Sequence, residues 1–219
     1  MNAQTCIRKL RYVCSTSMGT VDAHGNPQVR IINIMHVEPE KGEIYFVTAR
    51  GKNFYRELQN GKEVAITALT RYQEMIRVNG IPERVPDTRQ KKWLDRIFEE
   101  NQIMNNVYPG NSRYVLEVFC VKKAVIEYFN LGVHPIFRER YTIGEEAKRG
   151  GGFMVTEACI GCGKCLQACP QGCILEKNPV EIKEENCLHC GLCSEVCPVQ
   201  AIKSCLLYTS DAADEEDSV

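Results

Sequence analysis

One spacing is written twice in this chain. Cys159, Cys162, Cys165 and Cys169 precede Pro170, and Cys187, Cys190, Cys193 and Cys197 precede Pro198. Both runs read C-x2-C-x2-C-x3-C-P, and each cysteine lies 28 residues from its counterpart. Three thiolates at i, i+3 and i+6 can wrap three corners of a cubane cluster in one tight loop. Gly161, Gly163 and Gly191 let the backbone come close to the sulfides. The fourth cysteine of such a run ligates the other cluster of the pair. The expected ligand sets are therefore Cys159, Cys162, Cys165 with Cys197, and Cys187, Cys190, Cys193 with Cys169. A zinc site would pair two C-x2-C clips across a longer gap, which leaves a duplicated triple clip unexplained. Cys173 has no slot in the pattern and reads as a free or buried thiol. His189, inside the second clip, reads as a surface or sulfide-contacting residue rather than a ligand.

The stretch 154–204 closely resembles the bacterial two-cluster ferredoxins. The resemblance implies a small pseudo-twofold domain with two 4Fe–4S clusters within electron-hopping distance. With all eight ligands assigned, no iron is left open to substrate. Such a pair moves single electrons.

The preceding residues have a different character. Runs 13–21, 28–37, 44–49, 64–70, 75–85 and 114–129 are rich in β-branched and aromatic residues, separated by turn formers such as DAHGNP and EPEKGE. A helix is expected over residues 1–12, and another after Lys52, where Phe54 and Leu58 share one face. Asp87 reads as an N-cap, with Gln90 completing a capping box. It starts a helix whose stripe is Trp93, Leu94, Ile97 and Phe98, running to about Met104. The strand 114–129 is expected to bend near Lys122 and Lys123. Many short strands with few helices suggest a closed barrel.

Within that region, Arg30 lies in an apolar strand with Ile31, Ile32 and Asn33. A second strand ends Thr48-Ala49-Arg50-Gly51-Lys52 where a helix begins. A hydroxyl, cations and a helix start at one place suit a phosphate. The plain alternative is that Arg50 and Lys52 solvate a turn. Residues 10–130 resemble the pyridoxamine 5′-phosphate oxidase-like FMN-binding split barrels, through Gly25-Asn26-Pro27-Gln28-Val29-Arg30 and through Ile44-Tyr45-Phe46-Val47-Thr48-Ala49-Arg50-Gly51-Lys52. The resemblance implies that Thr48, Arg50 and Lys52 hold the FMN phosphate and that Arg30, Ile31, Ile32 and Asn33 line the flavin ring. It also implies a homodimer with flavin at the interface. Related barrels bind heme or a deazaflavin instead. The C-terminal substrate signature of true pyridoxamine phosphate oxidases is not evident, so that activity is not expected. His36 and His134 could donate protons near a flavin, though single histidines are more often structural. Tyr72, Gln73 and Arg77 lie on strands that could reach one.

The expected fold class is α+β: an antiparallel split β-barrel over 1–137, a linker over 138–153 whose charged stretch 138–152 ends in three glycines, a two-cluster ferredoxin domain over 154–204, and a tail over 205–219. The string CLLYTSDAADE in the tail reads, letter for letter, as one frame of a transposase-based sequencing adapter. The tail is therefore expected to be non-native, or else a disordered acidic segment. Its last fifteen residues hold five acids and no base, so the net charge of −1 becomes +4 without them and points to no partner. The start lacks an apolar signal core and no apolar run could span a bilayer, which together with the metal-type cysteines leads us to expect a cytoplasmic protein. No G-x-G-x-x-G follows a strand, and no DNA-reading helix pair or basic stripe is present. The functional expectation is an oxidoreductase passing electrons between FMN and the clusters, served by a redox partner protein or a small-molecule donor or acceptor. The alternatives are a non-catalytic electron relay and a redox sensor whose barrel binds another ligand.

Overall fold

The computed structural model describes residues 1–144 and 151–205. The chain divides into two compact units, Met1–Phe129 with Glu139–Ala147, and Asn130–Arg138 with Lys148–Val219.

In the first unit α1 (Ala3–Val13) is capped by Asn2, whose side chain accepts from the Thr5 N–H at 2.8 Å, and it buries Cys6, Ile7 and Leu10. The strands are β1 (Ser15–Val21), β2 (Pro27–Asn33), β3 (His36–Glu38), β4 (Glu43–Ala49), β5 (Val64–Leu69), β6 (Glu74–Arg84), β7 (Leu116–Asn130) and β8 (Phe137–Ile143). Between them lie α2 (Asn53–Leu58), α3 (Asp87–Glu100) and α4 (Met104–Val107). The sheet has the order β2-β1-β5-β6-β7-β4-β3, with β8 paired to β7. β1 runs antiparallel to β2 and β5, β4 to β3 and β7, and β5 to β6, and the sheet curls around the buried side chains of Phe46, Phe119, Ile66 and Ile76.

Three expectations needed correction. The run 28–37 is two strands, because the chain changes partner in its middle. β2 pairs with β1, Ile34 N–H donates to Cys14 O, Met35 N–H donates to Tyr45 O, and β3 pairs with β4. Asp87 is the first helical residue rather than the cap, and its carboxylate faces Arg84 at 2.5 Å. Gln90 does not close a capping box. It is buried, donates to Val85 O and Val118 O, and accepts from the Val118 N–H at 2.9 Å, stitching α3 to β7. Finally, the segment expected as linker begins as strand. β8 covers 137–143, while the Ile136 N–H donates to Gln171 Oε1 and the Ile136 carbonyl accepts from Asn186. Residues 130–138 therefore group with the cysteine-rich unit and 139–144 with the sheet. Residues 145–150, with most of the glycine run, lie outside the described residues.

β6 and β7 are neighbours in the sheet and come close at Gly80. A Cβ on Gly80 would meet the Lys123 carbonyl oxygen at 2.5 Å and the Ala124 Cβ at 2.7 Å. Only a residue without a side chain lets these two strands close at that point.

The second unit is built twice over. β9 (Gly152–Val155), α5 (Lys164–Ala168) and β10 (Ile174–Leu175) form one half, and β11 (Glu181–Ile182), α6 (Leu192–Glu195) and β12 (Ile202–Cys205) the other. Strands pair across the halves, β9 with β12 and β10 with β11. The backbone repeats as well: φ is positive at Gly161 and His189, at Gly163 and Gly191, and at Gly172 and Gln200, each pair 28 residues apart. Beyond Cys205, the segment read as adapter lies outside the described residues.

Candidate functional site

The duplicated cysteines line two cavities. One is walled by Cys159, Cys162, Cys165 and Cys197 together with Ile160, Val180, Val199 and Ile202. The other is walled by Cys169, Cys187, Cys190 and Cys193, with Cys173, Phe153, Ile174 and Ile182. Each cavity thus takes three thiols from one run and the fourth from the other. This exchange follows from the strand pairing, which brings the end of each half against the start of the other. Among the described residues no three His, Cys, Asp or Glu side chains gather on a single point as one metal ion requires; the thiols surround a volume instead.

Local backbone explains how the thiols are held. Gly163 and Gly191, at φ 72° and 84°, start α5 and α6, which carry Cys165 and Cys193 inward. The cysteine before each proline lies in a turn of amides. Burial pushes the Cys197 thiol up, but the N–H groups of Ala201, Val199, Ile202 and Gln200 outweigh it and hold the thiol below its ordinary value. The Ala201 N–H donates to Cys197 Sγ at 3.2 Å. At Cys169 burial is likewise outweighed, here by the N–H groups of Cys173, Gln171 and Gly172 and the Cys173 side chain. N–H groups aimed at sulfur favour a thiolate, the form that binds iron. Cys165 and Cys187 are raised by burial, as is Cys193, to about 11. Low-dielectric surroundings penalise a bare thiolate, and a cationic iron core is the neutralising group such a wall suits. Donor chemistry and number, four thiols to a cavity, fit a 4Fe–4S core.

Two neighbours of the cysteine clips find definite places. Cys173 is a buried thiol whose Sγ lies 3.5 Å from Cys169 Sγ. His189 packs beside the second clip, with Nδ1 at 3.0 Å from Arg138 and Nε2 at 2.8 Å from Glu184, and its N–H donates to Cys187 Sγ at 3.4 Å.

In the sheet unit the expected cofactor residues are distributed over two faces. Thr48 faces inward from β4, and among the described residues its buried Oγ1 has no hydrogen-bond partner. Arg50 donates to Tyr114 O at 2.8 Å and lies 3.6 Å from the Glu117 carboxylate. Lys52 is exposed, immediately before α2, a helix of only six residues. Arg30 is tied inward: Nη1 donates to Thr20 Oγ1 at 2.6 Å, Nη2 pairs with buried Glu57 at 2.7 Å, and its guanidinium lies 4.4 Å over the Phe54 ring. Ile32 is buried, whereas Ile31 and Asn33 are exposed. Ile31 borders an open concavity with Ser15, Ser17, Thr67, Met75 and Arg77. The structure thus puts Arg30 against α2, near the Thr48–Lys52 strand end, and turns Ile31 and Asn33 outward. Sequence reasoning missed Glu57 and Glu117, the acids that engage Arg30 and Arg50; buried acids on a helix and a strand carry no local signature. Of the other candidates, His36 is buried, its Nδ1 2.7 Å from Glu100 and its ring beside the stacked pair Tyr45 and Trp93, which is a packing role. Arg77 pairs with Glu127 at 3.2 Å. Tyr72 is exposed at a turn beside Gln73, which has φ 62°.

An orphaned hydroxyl, an exposed lysine and an arginine at one strand end fit a phosphate, with Glu117 as a competing charge beside Arg50. Residues 4–122 match the family model of pyridoxamine 5′-phosphate oxidase, over half the chain. The chain belongs to the pyridoxamine 5′-phosphate oxidase family. Residues 153–204 match a 4Fe-4S dicluster domain. Among solved structures, a NimC/NimA family protein from Clostridium acetobutylicum aligns with a TM-score of 0.53 at 15% identity, covering 65% of this chain and 92% of that one. A pyridoxamine 5′-phosphate oxidase-related, FMN-binding protein from Nostoc punctiforme aligns at 0.48 and 14% identity, covering 65% and 94%. At 15% identity the first of these speaks to fold alone. No curated protein matches the sequence. Among the described residues no helix is long and apolar enough to cross a membrane. A domain of the pyridoxamine 5′-phosphate oxidase family joined to a 4Fe-4S dicluster domain points to redox or electron-transfer chemistry.

Proposed function

We propose that this protein is an FMN- and iron–sulfur-dependent oxidoreductase in which electrons pass between a flavin on the sheet unit and two 4Fe–4S clusters in the cysteine-rich unit. The observation that carries the reading is the pair of four-thiol cavities, each completed by a cysteine from the opposite run. Cys159, Cys162, Cys165 and Cys197 would hold one cluster; Cys187, Cys190, Cys193 and Cys169 the other. Thr48, Arg50 and Lys52 would hold the flavin phosphate, and Ile31 and Asn33 would face the ring. Arg30 would act as a scaffold through Glu57 rather than as a direct contact. FMN supplies two-electron chemistry and the clusters one-electron chemistry, so the chain holds the parts of a two-to-one electron converter. The exposed side chains of Val29, Ile31 and Leu69 on the open sheet face suit a second copy of the chain, giving a homodimer.

An anaerobic absorption spectrum, with iron, sulfide and flavin measured on the same sample, tests this. About eight iron, eight sulfide and one FMN per chain are expected. Eight iron without flavin, even after adding FMN, would leave a dicluster domain joined to a barrel for another ligand, and the oxidoreductase reading would fall.

A further inference from the structure

The two halves of the cysteine-rich unit repeat in spacing, strands and backbone angles, yet they differ at one buried place. Cys173 stands 28 residues before Ala201. Both are buried, at 3% and 1% exposure, and both supply an N–H toward the cysteine that precedes the proline. Ala201 ends at its methyl group. Cys173 carries a thiol into the cavity wall, 3.5 Å from Cys169 Sγ and beside Cys187.

We propose that Cys173 is a positioning residue that makes the two clusters electrically unequal, by donating an S–H hydrogen bond to the Cys169 sulfur. The inference rests on the assignment of Cys169 as a cluster ligand. A reduced cluster carries one more negative charge than an oxidised one, and part of that charge sits on its sulfurs. A donor aimed at a ligand sulfur therefore stabilises the reduced form more and raises the reduction potential. The other cavity has only a methyl group at this place, so its cluster lacks that donor. The cluster held by Cys187, Cys190, Cys193 and Cys169 is the easier one to reduce, and an electron entering the unit settles there first. Cys173 is not needed as a fifth ligand, because four thiols already complete that cavity.

The test uses the full holoprotein, titrated anaerobically with dithionite and followed by electron paramagnetic resonance, after iron and sulfide have been counted. Cys173→Ala should move one of the two reduction steps to lower potential by about tenfold in its equilibrium, or about 59 mV for one electron, leaving the other in place. Cys173→Ser keeps a donor and should retain most of the difference. Ala201→Cys should move the other step upward. Unchanged steps in all three variants, or equal movement of both steps, would overturn the proposal. So would loss of four iron in Cys173→Ala, which would make the residue a ligand. Wild-type protein without eight iron would instead refute the two-cluster reading on which the proposal stands.

Discussion

Gln200 stands at φ 51° where Gly172, 28 residues earlier, stands at φ 58°. The repeat in the cysteine runs is thus also a repeat in backbone conformation, and the second half keeps a left-handed residue where the first keeps glycine. A left-handed residue with a Cβ costs roughly 1–2 kcal/mol, partly offset by the extra chain entropy of glycine. Gln200→Gly should therefore stabilise the unit modestly, by up to about 1 kcal/mol. Gly163→Ala, at φ 72°, should destabilise it by about 1 kcal/mol or more. Rates of anaerobic cluster loss in mild denaturant would read both, and faster loss in Gln200→Gly would show that strain is not what that position stores.

Cross-ligation makes distant cysteines equivalent and near ones different. Cys197→Ser and Cys162→Ser should each lower iron from about eight to about four per chain and remove the same paramagnetic signal. Cys169→Ser, seven residues from Cys162, should remove the other signal. If Cys169→Ser and Cys162→Ser removed the same signal, each run would close its own site.

Thr48 Oγ1 is buried without a partner among the described residues, a cost that a bound phosphate oxygen would relieve. Thr48→Val should leave stability without flavin unchanged or raise it by about 1 kcal/mol, while weakening FMN binding several-fold or more. Lys52→Ala should weaken binding with a reduced salt dependence and little change in stability. Fluorescence titration with FMN would measure both. Unaltered affinity in both variants would place the phosphate elsewhere.

The close approach at Gly80 gives a structural counterpart. Gly80→Ala forces a methyl group against the Lys123 carbonyl at 2.5 Å and the Ala124 Cβ at 2.7 Å, with backbone on one side. A cost of about 1–3 kcal/mol is expected in denaturant unfolding of the full chain, with iron content unchanged.

What is legible in the sequence is what local chemistry dictates. Thiol spacing, the C-P dipeptides and the glycine-bearing loops are short-range features, and the structure places them as two four-thiol walls. The strands and the α3 stripe of Leu94, Ile97 and Phe98 are legible because burial imposes a period. Tertiary partners are not. Gln90 looks like half of a capping box, but its amide is worth more buried against β7. The run through Ile34 looks continuous, yet its two ends pair with different strands. Residues 130–138 look like the end of the sheet domain, but Gln171 and Asn186 hold Ile136 in the other unit. Arg30 looks free to meet a ligand until Glu57, 27 residues away, is seen to claim it.

Acid sensitivity should arise in the sheet unit at Glu74. This carboxylate is buried, which pushes it up, but Lys9 at 2.7 Å, Tyr128 at 2.8 Å and Thr70 at 2.9 Å outweigh burial and hold it below its ordinary 4.5. A group whose folded value is depressed contributes stability that is fully present above the unfolded value and is lost as pH falls through the folded one. Glu117, engaged by Arg84 and Tyr55, shifts the same way and adds to the effect. Unfolding free energy of the sheet unit should therefore be flat above about pH 5.5 and fall below about pH 4.5. Glu74→Gln should cost about 1–3 kcal/mol at neutral pH and flatten part of the acid limb, because the remaining amide cannot pair with Lys9 as a charge. Far-ultraviolet circular dichroism across pH 3–7 at fixed denaturant would read it. An acid limb of full steepness in Glu74→Gln would assign acid unfolding to other carboxylates.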